Sequence, residues 1–394
     1  MKVAYVCADV GIPVFGQKGC AIHVQEIIRS LLAKNIEISL FTPRLGEKKP
    51  CDFEKINIYP LPPIPKVEKG EREKIALSIN SDLDSLLTLT QPFDFIYERY
   101  SLWSYAGVEF AQKRGIPSIL EVNAPLIIEQ DRHRGLVHRQ EAEKIAQRVF
   151  ESATVIIAVS KEIKSYVSQY VSNPEKITVI PNGVNAQRFS DDVIKNSHKE
   201  SNYRFTVGFV GSLKPWHGLP ILIDSFARFN RDYPESRLLI VGDGAEKDFL
   251  VENVEQRQLQ SAVQFVGAVS PDMIPYWLGK MDVGVAPYPS LDNFYFSPLK
   301  VYEYMAAGLP VIASNIGQIK ELIEDGVDGL LCEAGDSLAL TNALITLARS
   351  HLLRDKLGTS ARAKILSHYT WDKVVDKILA CVEQSRLRIK EGNS

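Results

Sequence analysis

YFSPLKVYEYMAAGLPVIAS, residues 295–314, holds only two charges, Lys300 and Glu303, in an otherwise apolar run. Ser297 is a favourable N-cap, Pro298 suits a first helical position and Gly308 is a natural stop. The pattern predicts a helix over about Pro298–Ala307 and a strand over Pro310–Ala313. Lys300 and Glu303 are three residues apart, so they share a face near the positive end of the helix dipole. A cation is disfavoured there unless an anion faces it. A phosphate meets that requirement.

Outward from this helix, strands and helices alternate. On the C-terminal side of the chain, strands are predicted at Thr206–Val210, Arg237–Val241, Val263–Val266, Val283–Ala286 and Gly329–Cys332. Helices are expected at about Leu219–Phe229, Glu246–Arg257 and Gln318–Ile323. The N-terminal side repeats the alternation. Its strands are Lys2–Cys7, Ile36–Thr42, Ile56–Pro60, Phe95–Tyr97, Ser118–Val122, Val155–Val159 and Ile177–Ile180. Its helices are about Ala21–Lys34, Lys74–Leu89, Tyr105–Arg114, Arg139–Ser152 and Lys161–Val171. Such alternation predicts an α/β chain of two doubly wound, Rossmann-like domains facing a central cleft. Residues 1–185 form the first domain, the polar stretch 186–203 a linker and 204–370 the second domain. Residues 371–394 carry a helical apolar stripe and are expected to cross back to the first domain.

Length and composition agree: 394 residues exceed one ordinary core, and 45% hydrophobic with 24% charged residues is a globular balance. A net charge of −2 without a basic tract argues against nucleic acid as a partner. Five scattered cysteines without CxxC spacing argue against a zinc site and a disulfide framework, and fit a reducing cytoplasm. The first residues, MKVAYVCADV, read as a buried strand rather than a signal peptide, and no apolar run reaches the ~20 residues of a membrane span.

The first strand–helix loop, GIPVFGQKG (11–19), has neither GxGxxG nor the GxxxxGK of a P-loop. Its glycines fit both a simple turn and a backbone that approaches a ligand. The second half is more telling. GSLKPWHGLP (211–220) again links a strand to a helix and carries Lys214 and His217. Its basic groups and Lys300 would meet at the carboxyl edge of one sheet, converging on a diphosphate, with Glu303 set to accept from ribose hydroxyls.

On those residues the chain resembles the retaining GT-B glycosyltransferases of the family-4 type, glycosyl transferases group 1. The resemblance is carried by VIPNGVNAQRF (179–189), FVGSLKPWHG (209–218), LLIVGDG (238–244), VQFVGAV (263–269), FYFSPLKVYEYMAAGLPVIAS (294–314) and GQIKELIEDGVDGLL (317–331). It implies a first domain that binds the acceptor and a second that binds the nucleotide-sugar. It implies that Lys300 holds the donor pyrophosphate. The family's usual first-loop arginine and lysine are replaced by Ser212 and His217, leaving Lys214 as the substitute cation. Glu303 matches the ribose ligand, and Lys300, Lys214 and Glu303 form the catalytic set. The family's earlier glutamate falls on Tyr295, so sugar contacts are expected from the backbone around Tyr295, Phe296, Ser297 and Leu299. Gly267, Ala268 and Val269 match the stretch that meets the base, and Gly16 and Gly19 the loop that approaches the phosphates.

In the first domain, His23, Glu98, Arg99, Glu121 and Asn123 are candidates for acceptor or sugar contacts. The basic RHRGLVHR (132–139) reads as a solvated face, an anionic-acceptor contact or a peripheral membrane contact. Asp243 is expected to order its own turn and Trp216 to pack. The implied reaction moves a hexosyl group from a nucleoside-diphosphate sugar, UDP being the expected base, to an acceptor hydroxyl with retention. No metal or other cofactor is expected, since DDV (191–193) lies in the linker. An epimerase or phosphorylase on the same fold, and a non-catalytic nucleotide-sugar sensor, are the alternatives. Acceptor identity and oligomeric state are not fixed by these residues.

Overall fold

The computed structural model describes residues 1–46, 48–190, 203–291 and 294–392, the side chains of 390 and 392 excepted. They form two compact units: Met1–Asn182 with the C-terminal segment that begins at Trp371, and Gly183–Thr370. Of the expected linker, Ala186–Phe189 make a 3-10 turn, whereas 191–202, with DDV, lie outside the described residues.

In the N-terminal unit the order is β1 (Lys2–Val6), α1 (Gly19–Ala33), β2 (Glu37–Thr42), β3 (Asn57–Pro60) and α2 (Lys69–Thr90). Next come β4 (Phe95–Arg99), α3 (Ala106–Arg114), β5 (Ser118–Val122), α4 (Leu126–His133) and α5 (Arg139–Ser152). β6 (Val155–Ala158), α6 (Lys161–Val167) and β7 (Ile177–Val179) follow. The strands pair in parallel in the order β3-β2-β1-β4-β5-β6-β7. β4, β5 and β6 are buried along their whole length, as expected of parallel strands covered on both faces. Strand order reverses between β1 and β4, where the outgoing loops diverge and open a crevice. The C-terminal helix Trp371–Gly392 belongs to this unit. It buries Trp371, Val374, Val375, Ile378 and Val382 and pairs Asp376 with Lys34 at 2.5 Å and Arg386 with Asp94 at 3.1 Å.

The second unit runs β8 (Phe205–Val210), α7 (Leu219–Asp232), β9 (Ser236–Val241), α8 (Lys247–Gln256), β10 (Val263–Gly267) and α9 (Ile274–Gly279). It continues with β11 (Val283–Ala286), α10 (Leu299–Ala306), β12 (Val311–Ser314), α11 (Ile319–Leu322) and β13 (Leu330–Cys332). α12 (Ser337–Arg349) and α13 (His351–His368) complete it. This sheet is also parallel, ordered β10-β9-β8-β11-β12-β13, and reverses between β8 and β11.

Several details differ from the sequence reading. α10 starts at Leu299 with Pro298, at ψ 97°, in the capping position and no side-chain cap. The Ser297 hydroxyl bonds Tyr302 instead of capping. α2 starts at Lys69 rather than Lys74, because the Glu68 carboxylate accepts from Gly70 and Glu71 N–H. α4, α9, α12 and α13 are additional. Among the described residues no helix is long and apolar enough to cross a membrane.

Candidate functional site

Both reversal points carry a cluster of polar groups. In the C-terminal unit, β8 runs through Gly211 into a 3-10 turn, Pro215–His217, that ends at Gly218 with φ +70°. A Cβ at Gly218 would stand 1.7 Å from the Pro287 carbonyl oxygen, so glycine is what lets this loop lie on the segment after β11. α10 then aims Lys300 back at the same spot. Its Nζ sits against Gly211, 4.2 Å from the centroid of the Phe209 ring and 5.3 Å from that of Tyr288.

Lys300 is 8% exposed, and among the described residues its amine has no hydrogen-bond partner. Burial pushes its pKa down to about 7, against the opposing pull of Glu303. The aromatic faces compensate part of the lost hydration. An unbonded buried amine is nevertheless costly, and an anion placed beside it would complete it.

His217 has a different part. Its Nδ1 lies 2.5 Å from the Ser212 carbonyl, so Nδ1 carries the proton and Nε2 is left as an acceptor. Burial, and then the neighbouring Lys300, hold its pKa at about 3. At neutral pH the ring is therefore uncharged and brings no cation to a phosphate. Lys214 is half-buried, with Nζ 5.8 Å from the Trp216 ring, and Ser212 is exposed.

Glu303 is half-buried one turn beyond Lys300. Tyr295 packs at a tilt on Phe296 at 4.3 Å, Phe296 edge-on against Phe294 at 5.4 Å and Phe294 edge-on against Tyr288 at 4.8 Å, an aromatic run leading to Ser297 and Leu299 at the head of α10. Gly267 ends β10 and accepts from Gly242 N–H; Ala268 beyond it is exposed and Val269 half-buried. Asp243 accepts from Gly244 N–H at 2.7 Å, ordering its own turn as expected.

The remaining candidates lie in the N-terminal unit. Gly16 is held by Gln25, whose side chain donates to the Val14 and Gly16 carbonyls at 2.9 and 2.8 Å, and Gly19 opens α1. His23, Glu121 and Arg99 form one buried network: His23 to Glu121 at 2.7 Å and Arg99 to Glu121 at 3.4 Å. Burial alone would raise the Glu121 carboxyl, but His23 and Arg99 outweigh it and hold the pKa down at about 2. Glu98 is wholly buried and accepts from Ser104 Oγ at 2.5 Å and Val108 N–H at 3.0 Å, at the head of α3. Burial pushes it up to about 7 despite those bonds. Asn123 follows β5 and has a buried Nδ2 with no hydrogen-bond partner among the described residues.

A cavity of about 380 Å³ opens at the reversal point of this sheet, between Ala8–Gly11 after β1 and Ser101–Ser104 after β4. One face of α2 and the α4 segment Leu126–Arg134 close it. Sequence reading did not find this cavity. The available signal was the spacing along α2, where Lys69, Arg72, Ala76, Ile79 and Leu83 fall on one helical face.

Both clusters lie in segments that match known protein families. Residues 18–188 match the pattern of Glycosyltransferase Family 4 and residues 204–350 that of Glycosyl transferases group 1. The fold agrees with that of the Anabaena protein HepE in complex with UDP, at TM-score 0.75 and 19% identity over 98% of this chain and 100% of that one. The chain belongs to the GT-B glycosyltransferases of this type. This glycosyltransferase is 26% identical to an uncharacterized glycosyltransferase of Methanocaldococcus jannaschii over 91% of its own length and 92% of the relative's. It is 28% identical, over 77% and 79% of the two chains, to the Escherichia coli enzyme named UDP-Gal:alpha-D-GlcNAc-diphosphoundecaprenol alpha-1,3-galactosyltransferase. In the glycosyltransferase, the group 1 match contains Lys214, His217, Lys300 and Glu303, and the Family 4 match contains the buried His23–Glu121–Arg99 network.

Proposed function

We propose that the enzyme transfers a hexosyl group from a UDP-sugar to an acceptor hydroxyl with retention of configuration, the C-terminal unit holding the donor. The observation that carries this is the buried, unbonded Lys300 amine at the reversal point of that sheet. A diphosphate there would recharge the amine and meet the positive end of α10. As the glycosidic C–O bond breaks, negative charge grows on the departing diphosphate. Lys300, Lys214 and the α10 N-terminus stabilise it in a site shielded from water. His217, neutral, offers Nε2 to a hydroxyl of the donor, and Glu303 accepts from the ribose. The acceptor attacks from the leaving-group side, its proton passing to a phosphate oxygen, so no separate base is required. No metal takes part. UDP stands in the HepE complex and UDP-Gal in the name of the E. coli relative, which supports uracil as the base. The family favours transfer over the epimerase, phosphorylase and sensor alternatives.

Lys300→Met tests this, because it keeps length and removes charge. Donor turnover should fall at least ~10²-fold, in line with loss of an anion-stabilising group. The ligand-free protein should melt higher, because an unbonded buried amine gives way to an apolar side chain of similar length. Turnover is measured by UDP release with and without EDTA, which should make no difference, and stability by thermal melting. Undiminished turnover in the stabilised variant would refute the assignment.

A further inference from the structure

The cavity of the N-terminal unit has polar groups that fall into two sets. Most are committed to the fold. Glu73 accepts from Val137 and His138 N–H at 3.0 and 2.8 Å, and Asp9 from Gly11 N–H at 2.7 Å. Asn80 accepts from Tyr105 and Ala106 N–H and donates to the Leu77 and Trp103 carbonyls. Gln130 donates to Gly135, Ser104 to Glu98, and Glu129 is also engaged.

Three cations form the other set. Lys69, Arg72 and Arg134 line the cavity with solvent-exposed side chains, and among the described residues none of those side chains has a hydrogen-bond or ion-pair partner. Lys69 and Arg72 stand in the first turn of α2, where the helix dipole opposes positive charge. Farther along the same helix face the lining turns apolar, with Ala76, Ile79 and Leu83, and Leu102 and Trp103 add apolar surface after β4. The cavity thus sets three cations without side-chain partners beside the engaged carboxylates of Asp9, Glu73 and Glu129, with apolar surface along α2 and after β4.

We infer that this cavity holds the acceptor by a phosphate group, carried on the sugar or polyol that offers the hydroxyl. The inference rests on the glycosyltransferase reading. Guanidinium forks match phosphate oxygens two at a time, and the ring of the acceptor lies on the apolar wall. About 380 Å³ is near the lower end of the roughly 300–1,000 Å³ of small-molecule sites, which suits one phosphorylated ring rather than a polymer chain. A free sugar phosphate and a lipid phosphate headgroup present the same chemistry.

The test uses the full chain with saturating UDP, so that the Lys300 site is occupied. Thermal shift and tryptophan fluorescence are followed with glucose 6-phosphate, with glucose, and with phosphatidylcholine vesicles with or without phosphatidylinositol. Glucose 6-phosphate or the phosphatidylinositol vesicles should bind, whereas glucose and plain vesicles should not. The Arg72→Gln/Arg134→Gln variant should lose at least tenfold in that affinity while keeping the thermal shift caused by UDP. Whichever of the two phosphate sources binds names the origin of the headgroup. Equal binding of glucose or of plain vesicles, no binding of either phosphate source at millimolar concentration, or full affinity in the variant would each overturn the inference. A chain that shows no UDP shift at all would instead overturn the donor reading.

Discussion

Lys300 makes the protonation of the proposed donor site a measurable quantity. Its pKa is about 7 in the ligand-free protein because burial disfavours the charge. A bound diphosphate favours the charged form, so the pKa rises on binding and a proton is taken up. A UDP-sugar carries a diphosphate diester with no proton of its own to exchange near neutrality. Affinity should therefore be greatest below about pH 7 and weaken as pH rises, until the pKa of the complex is passed. Calorimetry at pH 8 in buffers of different ionisation heat should report uptake of up to about one proton per donor, and Lys300→Met should abolish it. By the same sign rule, Lys300 makes the ligand-free fold gain stability with rising pH above about 7, toward its unfolded pKa of ~10.4. The sequence exposed Lys300 because a cation sat in an apolar helix head. It did not expose the neutrality of His217, which depends on a carbonyl five residues back and on an amine from another element.

At the scale of elements, the doubly wound order was legible wherever a strand was a short apolar run and the helix after it had a clear stripe. α2 was read five residues short because its first turn resembles the charged loop before it, and the capping group is a glutamate rather than Ser, Thr, Asn or Asp. α13 was hidden by Gly358, Thr359 and Ser360 in its interior. Gly358 has a packing reason: a Cβ there would come within 2.1 Å of the Gly308 carbonyl oxygen, the stop after α10. Gly358→Ala should push α10 away from α13, costing about 1–3 kcal/mol as overpacking does. It should also raise the KM for donor, since Lys300 rides on α10. A thermal melt and donor kinetics check both, and unchanged values would mean that the two helices part without strain. The cavity went unread because its cations come from α2 and from the end of α4, helices separated by two strands of sequence.

Across the whole molecule, two parallel sheets carry separate cores, one with β1–β7 and one with β8–β13. The C-terminal helix completes the first of them. Trp371 meets His23 edge-on at 4.9 Å, and four further apolar residues of the helix are buried behind it. At about 1.5–3 kcal/mol per buried large side chain, removing the helix forfeits an amount comparable with the 5–15 kcal/mol margin of a whole domain. Deletion of residues 371–394 should therefore leave the N-terminal unit unfolded at 37 °C. The C-terminal unit should keep its own transition and its response to UDP, visible as a single surviving step in calorimetry. A deletion variant with both transitions intact would show that the helix is dispensable.

The N-terminal unit is built from two stretches of chain, with the whole C-terminal unit spliced between them. During translation the first stretch emerges early but lacks its closing helix until the whole of Gly183–Thr370 has been made. The later-made, uninterrupted segment can finish folding sooner. Synthesis order and maturation order are thus inverted, and a polypeptide terminated before Trp371 keeps a complete second unit while its other half is left to chaperones and proteases.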